Sequence, residues 1–266
     1  MKLDILAFGA HPDDVELGCS GTIAKEISLG KKVGIIDLTR GELGTRGSVE
    51  IRDSESALAS EILGISAREN LNMRDGFFVN DEAHQLEIIK MIRKYQPEMV
   101  LCNAVRDRHI DHGKGSKLVS DACFLSGLRK IETTLDGKNQ EAWRPKVVYH
   151  YIQWENLEPD FVVDITGFID KKTAAILAYS SQFYSENSSE PVTPIATKNF
   201  LESIHYRSQD FGRLVGVEHA EGFTVERYLA VNSLRICFNF LNFFLANAKN
   251  YNIFALVKNG GCSSAG

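Results

Sequence analysis

Between Phe8 and Gly21 the chain reads FGAHPDDVELGCSG. His11, Asp13, Asp14 and Glu16 follow directly on an apolar run, residues 3–10. Four groups able to carry charge are not buried together unless something offsets them. The stretch is therefore either a solvated turn or the holder of a cation. About a hundred residues later VRDRHIDH (105–112) supplies His109, Asp111 and His112. A third polar loop, TRGELGTRG (39–47), follows another apolar run.

Two imidazoles and a carboxylate, with a position left for water, make a catalytic metal site. His11 and Asp14 stand three apart at a strand-to-helix turn, so a single turn can point both at one ion, and His112 comes from the other loop. Zn2+ is the first expectation. Fe2+ or another divalent metal suits the same residue set. Such an ion brings the pKa of its water to about 7 and polarises a carbonyl. Asp13 is then the adjacent acid, placed to act as the base that takes the water's proton. His109 is the spare imidazole, for an oxyanion or a leaving amine. Asp111, between the two histidines, is the natural partner that fixes an imidazole tautomer.

The elements must bring these loops together. Apolar runs rich in Ile and Val recur at 3–10, 33–39, 99–104, 147–152 and 161–165. None alternates strictly, as expected of strands buried on both faces. Helical patterns lie at 22–29, 50–63, 82–95, 116–128 and 198–206. In 50–63, Ile51, Leu58 and Ile62 share a face; in 82–95, Leu86, Ile89 and Ile92 do. Alternating strand and helix predicts a Rossmann-like α/β domain, a mostly parallel sheet with helices on both faces. Ligands of such sheets bind past the carboxyl ends of the strands, where all three loops open on one rim. The domain is expected to span 1–233. A Phe-rich tail, 234–266, with Phe238, Phe240, Phe243 and Phe244, reads as a last packed helix ending in a disordered GGCSSAG. The polar stretch 184–193 (YSENSSEPVT) reads as a surface loop and substrate lid.

Composition narrows the partners. The chain has 266 residues, 44% apolar and 24% charged, with net charge −5. No basic face announces nucleic acid, and no window offers the ~18 uninterrupted apolar residues of a membrane span. Five cysteines without a CxxC pair read as free thiols of a reducing compartment. With no signal-peptide pattern at the N-terminus, the expected location is cytoplasmic. A nucleotide-binding oxidoreductase would use Gly18-Cys19-Ser20-Gly21 before a helix. Asp13, Asp14 and Glu16 on that approach would repel a pyrophosphate, and the GxGxxG spacing is absent. A catalytically idle carbohydrate-binding protein is disfavoured because a base and an acid are both present. His84, His150 and His205 read as structural or solvated, and Cys19 as a small buried residue. His219, Trp154 and Glu155 are candidates for the pocket wall.

AHPDDVE followed by HIDH resembles the LmbE-like (PIG-L) zinc deacetylases. RGELGTRGSVEIRDSE (40–55), DRHIDHG (107–113) and HAEGF (219–223) resemble the bacillithiol-biosynthesis branch of that family. The resemblance covers about residues 1–233. It implies a Rossmann-like fold and removal of acetyl from an N-acetylglucosaminyl conjugate, in this branch N-acetylglucosaminyl-malate. Deacetylation of another acetylated sugar, or cleavage of a thiol conjugate, remains open beside it. The resemblance implies His11, Asp14 and His112 as ligands of Zn2+, Asp13 as base and His109 as its electrostatic or acid partner. It also implies substrate contacts by Arg52 and Arg108, whose guanidinium forks suit the carboxylates of malate. Relatives suggest a homo-oligomer, possibly hexameric. Val15 stands where the commoner motif has glutamate, which leaves Glu16 without an assigned role.

Overall fold

The first apolar run becomes strand β1 (Ile5–Gly9), buried on both sides for a simple reason. Its side chains alternate, and both faces of the sheet are covered. Leu6 and Phe8 pack with Ile88, Ile92 and Leu118 on one face. Ile5 and Ala7 pack with Val15, Cys19 and Ile23 on the other. The computed structural model describes residues 1–186 and 188–230. Within it Met1–Glu226 forms one compact unit, and the Phe-rich segment 234–266 lies outside the described residues.

In chain order β1 is followed by α1 (Asp14–Ser28), β2 (Val33–Thr39), α2 (Val49–Leu63), β3 (Ala67–Met73), α3 (Glu82–Tyr95), β4 (Met99–Cys102) and α4 (Ile110–Leu125). A two-residue hairpin pair, β5 (Thr134–Leu135) and β6 (Lys138–Asn139), leads to β7 (Val147–Tyr151), β8 (Phe161–Asp164), α5 (Ile169–Leu177), α6 (Lys198–Val215) and β9 (Ala220–Val225). The main sheet has the order β3-β2-β1-β4-β7-β9-β8. Strands β3 to β7 of that order are parallel, and β9 runs antiparallel to both its neighbours. The expected Rossmann-like, mostly parallel architecture is therefore present. The strand order reverses between β1 and β4, so the loops leaving these two strands diverge and open a crevice. No helix among the described residues is long and apolar enough to cross a membrane.

Several elements differ from the sequence pattern. Helix α1 starts at Asp14, eight residues before the expected 22, and passes through Gly18 and Gly21 with a kink at Cys19. Gly18 is required by contact: a Cβ there would lie 2.1 Å from the ring of Tyr151. That ring is fully buried and tied by its hydroxyl, which donates to the Phe8 carbonyl at 2.8 Å. Gly18→Ala is accordingly expected to cost about 1–3 kcal/mol of stability by overpacking, measurable by denaturant unfolding. The kink frees the N–H groups of Gly21 and Thr22, and the Glu221 carboxylate accepts both, at 3.0 and 2.7 Å. The Gly18–Gly21 stretch is thus a helix interior whose spare donors already serve a carboxylate.

Helix α2 turns the other way from its apolar pattern. Ile51 and Leu58 are 48% and 49% exposed, while Arg52, Glu55, Ala59 and Leu63 are buried. Glu55 explains part of this, accepting from the Ser181 amide and from the Ser180 and Ser181 hydroxyls at 2.7–3.0 Å. Strand β3 escapes sequence pattern because it is a polar edge strand, ARENLNM. Ala220–Phe223 of HAEGF lie within β9, and α4 starts at Ile110 instead of 116. The surface stretch around 184–193 is tied down by buried Arg46, which donates to the Ser181 and Pro191 carbonyls and to the Ser188 hydroxyl.

Candidate active site

Five strand ends contribute to one cavity of about 480 Å3, within the usual size range of small-molecule sites. The loop after β1 brings His11, Asp13 and Asp14; the loop after β4 brings Asp107, Arg108, His109 and His112; β2 leads to Leu43–Arg46, β3 to Asp75, and β7 to Gln153 and Trp154. The three loops expected from the sequence do share a rim, and two more join them.

The His11, Asp14 and His112 side chains converge. Asp14 lies 3.5 Å from His11 Nδ1 and 3.0 Å from His112 Nε2. Nitrogens of His11, His109 and His112 lie within 4.8 Å of one another. Each of the two predicted imidazole ligands is oriented by a carboxylate on its far side. His11 Nε2 is 3.0 Å from Asp75 and 3.6 Å from Asp111, and His112 Nδ1 is 2.5 Å from Asp107. Asp111, expected as the partner that fixes an imidazole, stands beside His11, 3.6 Å from Nε2. Asp75 and Asp107 were not expected: Asp75 follows a strand too polar to notice, and Asp107 sits inside a motif whose histidines drew the attention.

The Asp14 carboxylate is itself held. Its Oδ2 accepts from the His11 amide at 2.9 Å and from Asn103 Nδ2 at 3.0 Å. Its Oδ1 accepts from Gln153 Nε2 at 3.0 Å. Asn103 is fixed in turn through the Ala10 amide and through Gln153. Buried His150 closes the chain: its Nδ1 lies 3.1 Å from the Asn103 carbonyl and its Nε2 3.0 Å from Glu226. Neither Asn103 nor Gln153 carries charge or sits in a motif, so no sequence signal marked them.

The donor set suits a dication. Five carboxylates, Asp13, Asp14, Asp75, Asp107 and Asp111, gather around the imidazoles, with Arg52 beside Asp13 and Lys114 beside Asp111. Burial opposes the charge on Asp14, yet His112 and His11 hold its carboxyl well below the usual range. Burial likewise opposes protonation of the two imidazoles. Asp111, Asp14 and Asp75 overcome it at His11 and raise its pKa well above the usual value. Asp14 and Asp107 raise His112 to about 9. The chain thus gathers positive charge at the point where His11, Asp14 and His112 meet. A divalent cation there would replace imidazole protons, so its uptake releases protons and weakens as pH falls. His109 differs: burial and the two neighbouring histidines lower its pKa. Its Nδ1 accepts from the Asp111 amide at 3.3 Å, which places its ring proton on Nε2.

Asp13 is 5% exposed and has a positive φ of 117°, a conformation uncommon outside glycine and stored at functional positions. Burial pushes its pKa up to about 7, against the opposing charge of Arg52. Arg52 Nη2 stands 3.5 Å from Asp13 Oδ2. Its guanidinium lies against Gly41, at φ +63°, where a Cβ would come within 2.1 Å of Nη1.

The remaining candidates are distributed around this centre. Arg108 and Trp154 line the cavity, with the Arg108 guanidinium 4.6 Å from the Trp154 ring centroid. Glu155 pairs instead with Arg106 at 2.7 Å. His219 is buried behind the wall, whose lining comes from its neighbours Ala220, Glu221 and Gly222. Glu16 belongs to a buried ion network below the site, 2.6 Å from Arg68 and 3.1 Å from the Tyr179 hydroxyl. It anchors α1 to the strand that carries Arg68. Cys19, Cys102 and Cys123 are buried free thiols.

Comparison with known proteins shows what the chain as a whole is similar to. Residues 6–123 match the family model described as PIG-L: GlcNAc-PI de-N-acetylase. The chain is 28% identical over 249 residues to diacetylchitobiose deacetylase of Thermococcus kodakarensis, covering 88% of this chain and 85% of that protein. It is 27% identical over 192 residues to 4-oxalmesaconate hydratase of Pseudomonas putida, covering 66% of this chain and 73% of the other. Among solved structures, the conserved protein TT1542 from Thermus thermophilus superposes with a TM-score of 0.76 at 37% identity, over 86% of this chain and 98% of that one.

Proposed function

We propose that the chain is a deacetylase of the PIG-L (LmbE-like) kind, which its family-model match and its similarity to diacetylchitobiose deacetylase support, and that it is a metal-dependent hydrolase that deacetylates an N-acetylated amino sugar. The substrate we assign is an N-acetylglucosaminyl conjugate, N-acetylglucosaminyl-malate in bacillithiol biosynthesis. One observation carries the reading: His11, Asp14 and His112 converge beside a buried carboxylate, Asp13, in a cavity large enough for a sugar conjugate.

His11, Asp14 and His112 would hold the cation, Zn2+ first and Fe2+ as the other candidate. When bound there, such an ion activates a water near neutral pH and polarises the acetamide carbonyl. Asp13 takes the proton of the attacking water. A carboxylate tuned to about 7 is suited to accept and return a proton at neutral pH. His109, neutral and protonated on Nε2, supplies a hydrogen-bond donor for the oxyanion of the tetrahedral intermediate. Arg52 favours the ionised form of Asp13, and with Arg108 it borders the space where the conjugate's remaining atoms would lie. Buried free thiols fit a reducing, cytoplasmic setting.

The Arg52–Asp13 pair has a consequence in pH. Arg52 favours the charged form of Asp13, so Arg52→Gln should raise the pKa of the base. An opposite charge at this range is worth roughly 1–3 units. The acid limb of kcat/KM, where the base becomes protonated, should move to higher pH by about that amount. A pH–rate profile of the variant checks this; an unmoved limb would restrict Arg52 to substrate contact.

The substrate assignment is tested by primary-amine release from N-acetylglucosaminyl-malate, N-acetylglucosamine and diacetylchitobiose, each with Zn2+ and separately with anaerobic Fe2+. Preference for the malate conjugate is expected. Equal rates would keep the chemistry and remove the malate assignment.

A further inference from the structure

The cavity extends from the imidazole cluster to a wall on α6 that includes Phe200, Ile204, Arg207 and Phe211. Arg207 is half-buried in this apolar wall. Its one hydrogen bond among the described residues runs from Nη2 to the Trp154 carbonyl, at 2.6 Å, and no carboxylate of the described chain pairs with it. The nearby acid whose field it feels, Asp107, is committed elsewhere: Oδ2 to His112 and Oδ1 to the Glu155 amide at 2.8 Å. Burial lowers the Arg207 pKa, so its charge is held there at a cost.

The other buried arginines are answered. Arg68 pairs with Asp37 and Glu16, Arg52 with Asp13, and Arg46 and Arg93 donate to three and four oxygens respectively. Arg108, exposed at the mouth, lies over the Trp154 ring without an ion pair. Two guanidiniums without a carboxylate partner therefore bracket one tryptophan on the wall of the catalytic cavity. A fork of unused N–H donors in apolar surroundings is a receptor for a planar or tetrahedral anion.

We propose that Arg207, with Arg108, forms an anion subsite that takes a carboxylate or phosphate on the part of the substrate remote from the acetamide. The inference rests on the deacetylase reading for the position of the acetamide. It makes Arg207 a specificity-determining residue, missed in the sequence because it stands alone on an amphipathic helix.

The test compares N-acetylglucosaminyl-malate, N-acetylglucosamine 1-phosphate and methyl N-acetylglucosaminide, for the parent chain and for Arg207→Gln and Arg207→Lys. The glutamine keeps an N–H for the Trp154 carbonyl and removes the charge. The parent should favour one anionic substrate over the neutral glycoside, and which one tells carboxylate from phosphate. Arg207→Gln should lower the anionic-to-neutral ratio of kcat/KM by about 10–100-fold, Arg207→Lys by less, and added salt should lower it in the parent. A ratio unchanged in Arg207→Gln overturns the proposal, including the case where both substrates slow together because Arg207 only holds Trp154. Calorimetric binding of the same three compounds separates this inference from the function it rests on. If no amine is released from any of them, tighter parent binding of an anionic compound that is lost in Arg207→Gln still supports the subsite. Equal binding of all three contradicts it.

Discussion

Asp13→Asn should bind a divalent cation as the parent chain does and yet turn over about 10²–10⁴ times more slowly, the range by which a positioned general base accelerates a reaction. The amide is the same size as the carboxylate but cannot accept the water's proton. The fold should survive because asparagine is among the residues that best tolerate a positive φ, and position 13 sits at φ 117°. The substitution also removes a buried charge that Arg52 and His11 help the chain to hold. Thermal unfolding, metal content by atomic absorption and kcat, measured on one preparation, separate the effects. Turnover within tenfold of the parent would show that Asp13 is not the base.

Asp14 should behave differently. Asp14→Asn is expected to lose the cation and, with it, turnover. The carboxylate supplies the negative charge between His11 and His112. The amide that replaces it must also face Asn103 Nδ2 and Gln153 Nε2, both of which now donate to Asp14. An NH2 group there meets a donor on at least one side. Asn103→Ala makes the companion measurement. It leaves the ligands in place but removes one of the two donors to Asp14 Oδ2, and should weaken the cation by about 10–100-fold, as loss of an orienting partner does elsewhere. Dissociation constants from competition with a chromophoric chelator rank the two. Loss of affinity in Asp14→Asn no greater than in Asn103→Ala would remove Asp14 from the ligand set.

How the sequence relates to this site depends on what each residue had to do. His11, Asp14 and His112 were legible because they are rare, chemically matched, and placed just past apolar runs that could only be buried strands. The same runs revealed the parallel sheet and with it the rim. Asp75 was hidden because its strand, ARENLNM, lies at the sheet edge and needs no apolar character. Asn103 and Gln153 were hidden because uncharged amides at strand ends look like any loop residue until both are seen on one carboxylate. Helix α2 misled for a related reason. Its apolar residues Ile51 and Leu58 face outward, because the inward face is given to Arg52 and Glu55, which meet Asp13 and the segment at 180–181. Polar residues that are buried for function invert the periodicity that core packing would produce.

Amide hydrolysis by this chain is expected to depend on a cation held by His11, Asp14 and His112. This dependence is tested most directly by stripping the full chain with a chelator, restoring Zn2+ or Fe2+, and measuring amine release from an N-acetylated glucosamine conjugate before and after. Release should vanish on stripping and return with the metal in the parent chain, but not in Asp14→Asn. Undiminished release from the stripped chain would contradict this dependence. So would a restored chain that leaves the amide intact while hydrating an unsaturated acid such as 4-oxalmesaconate.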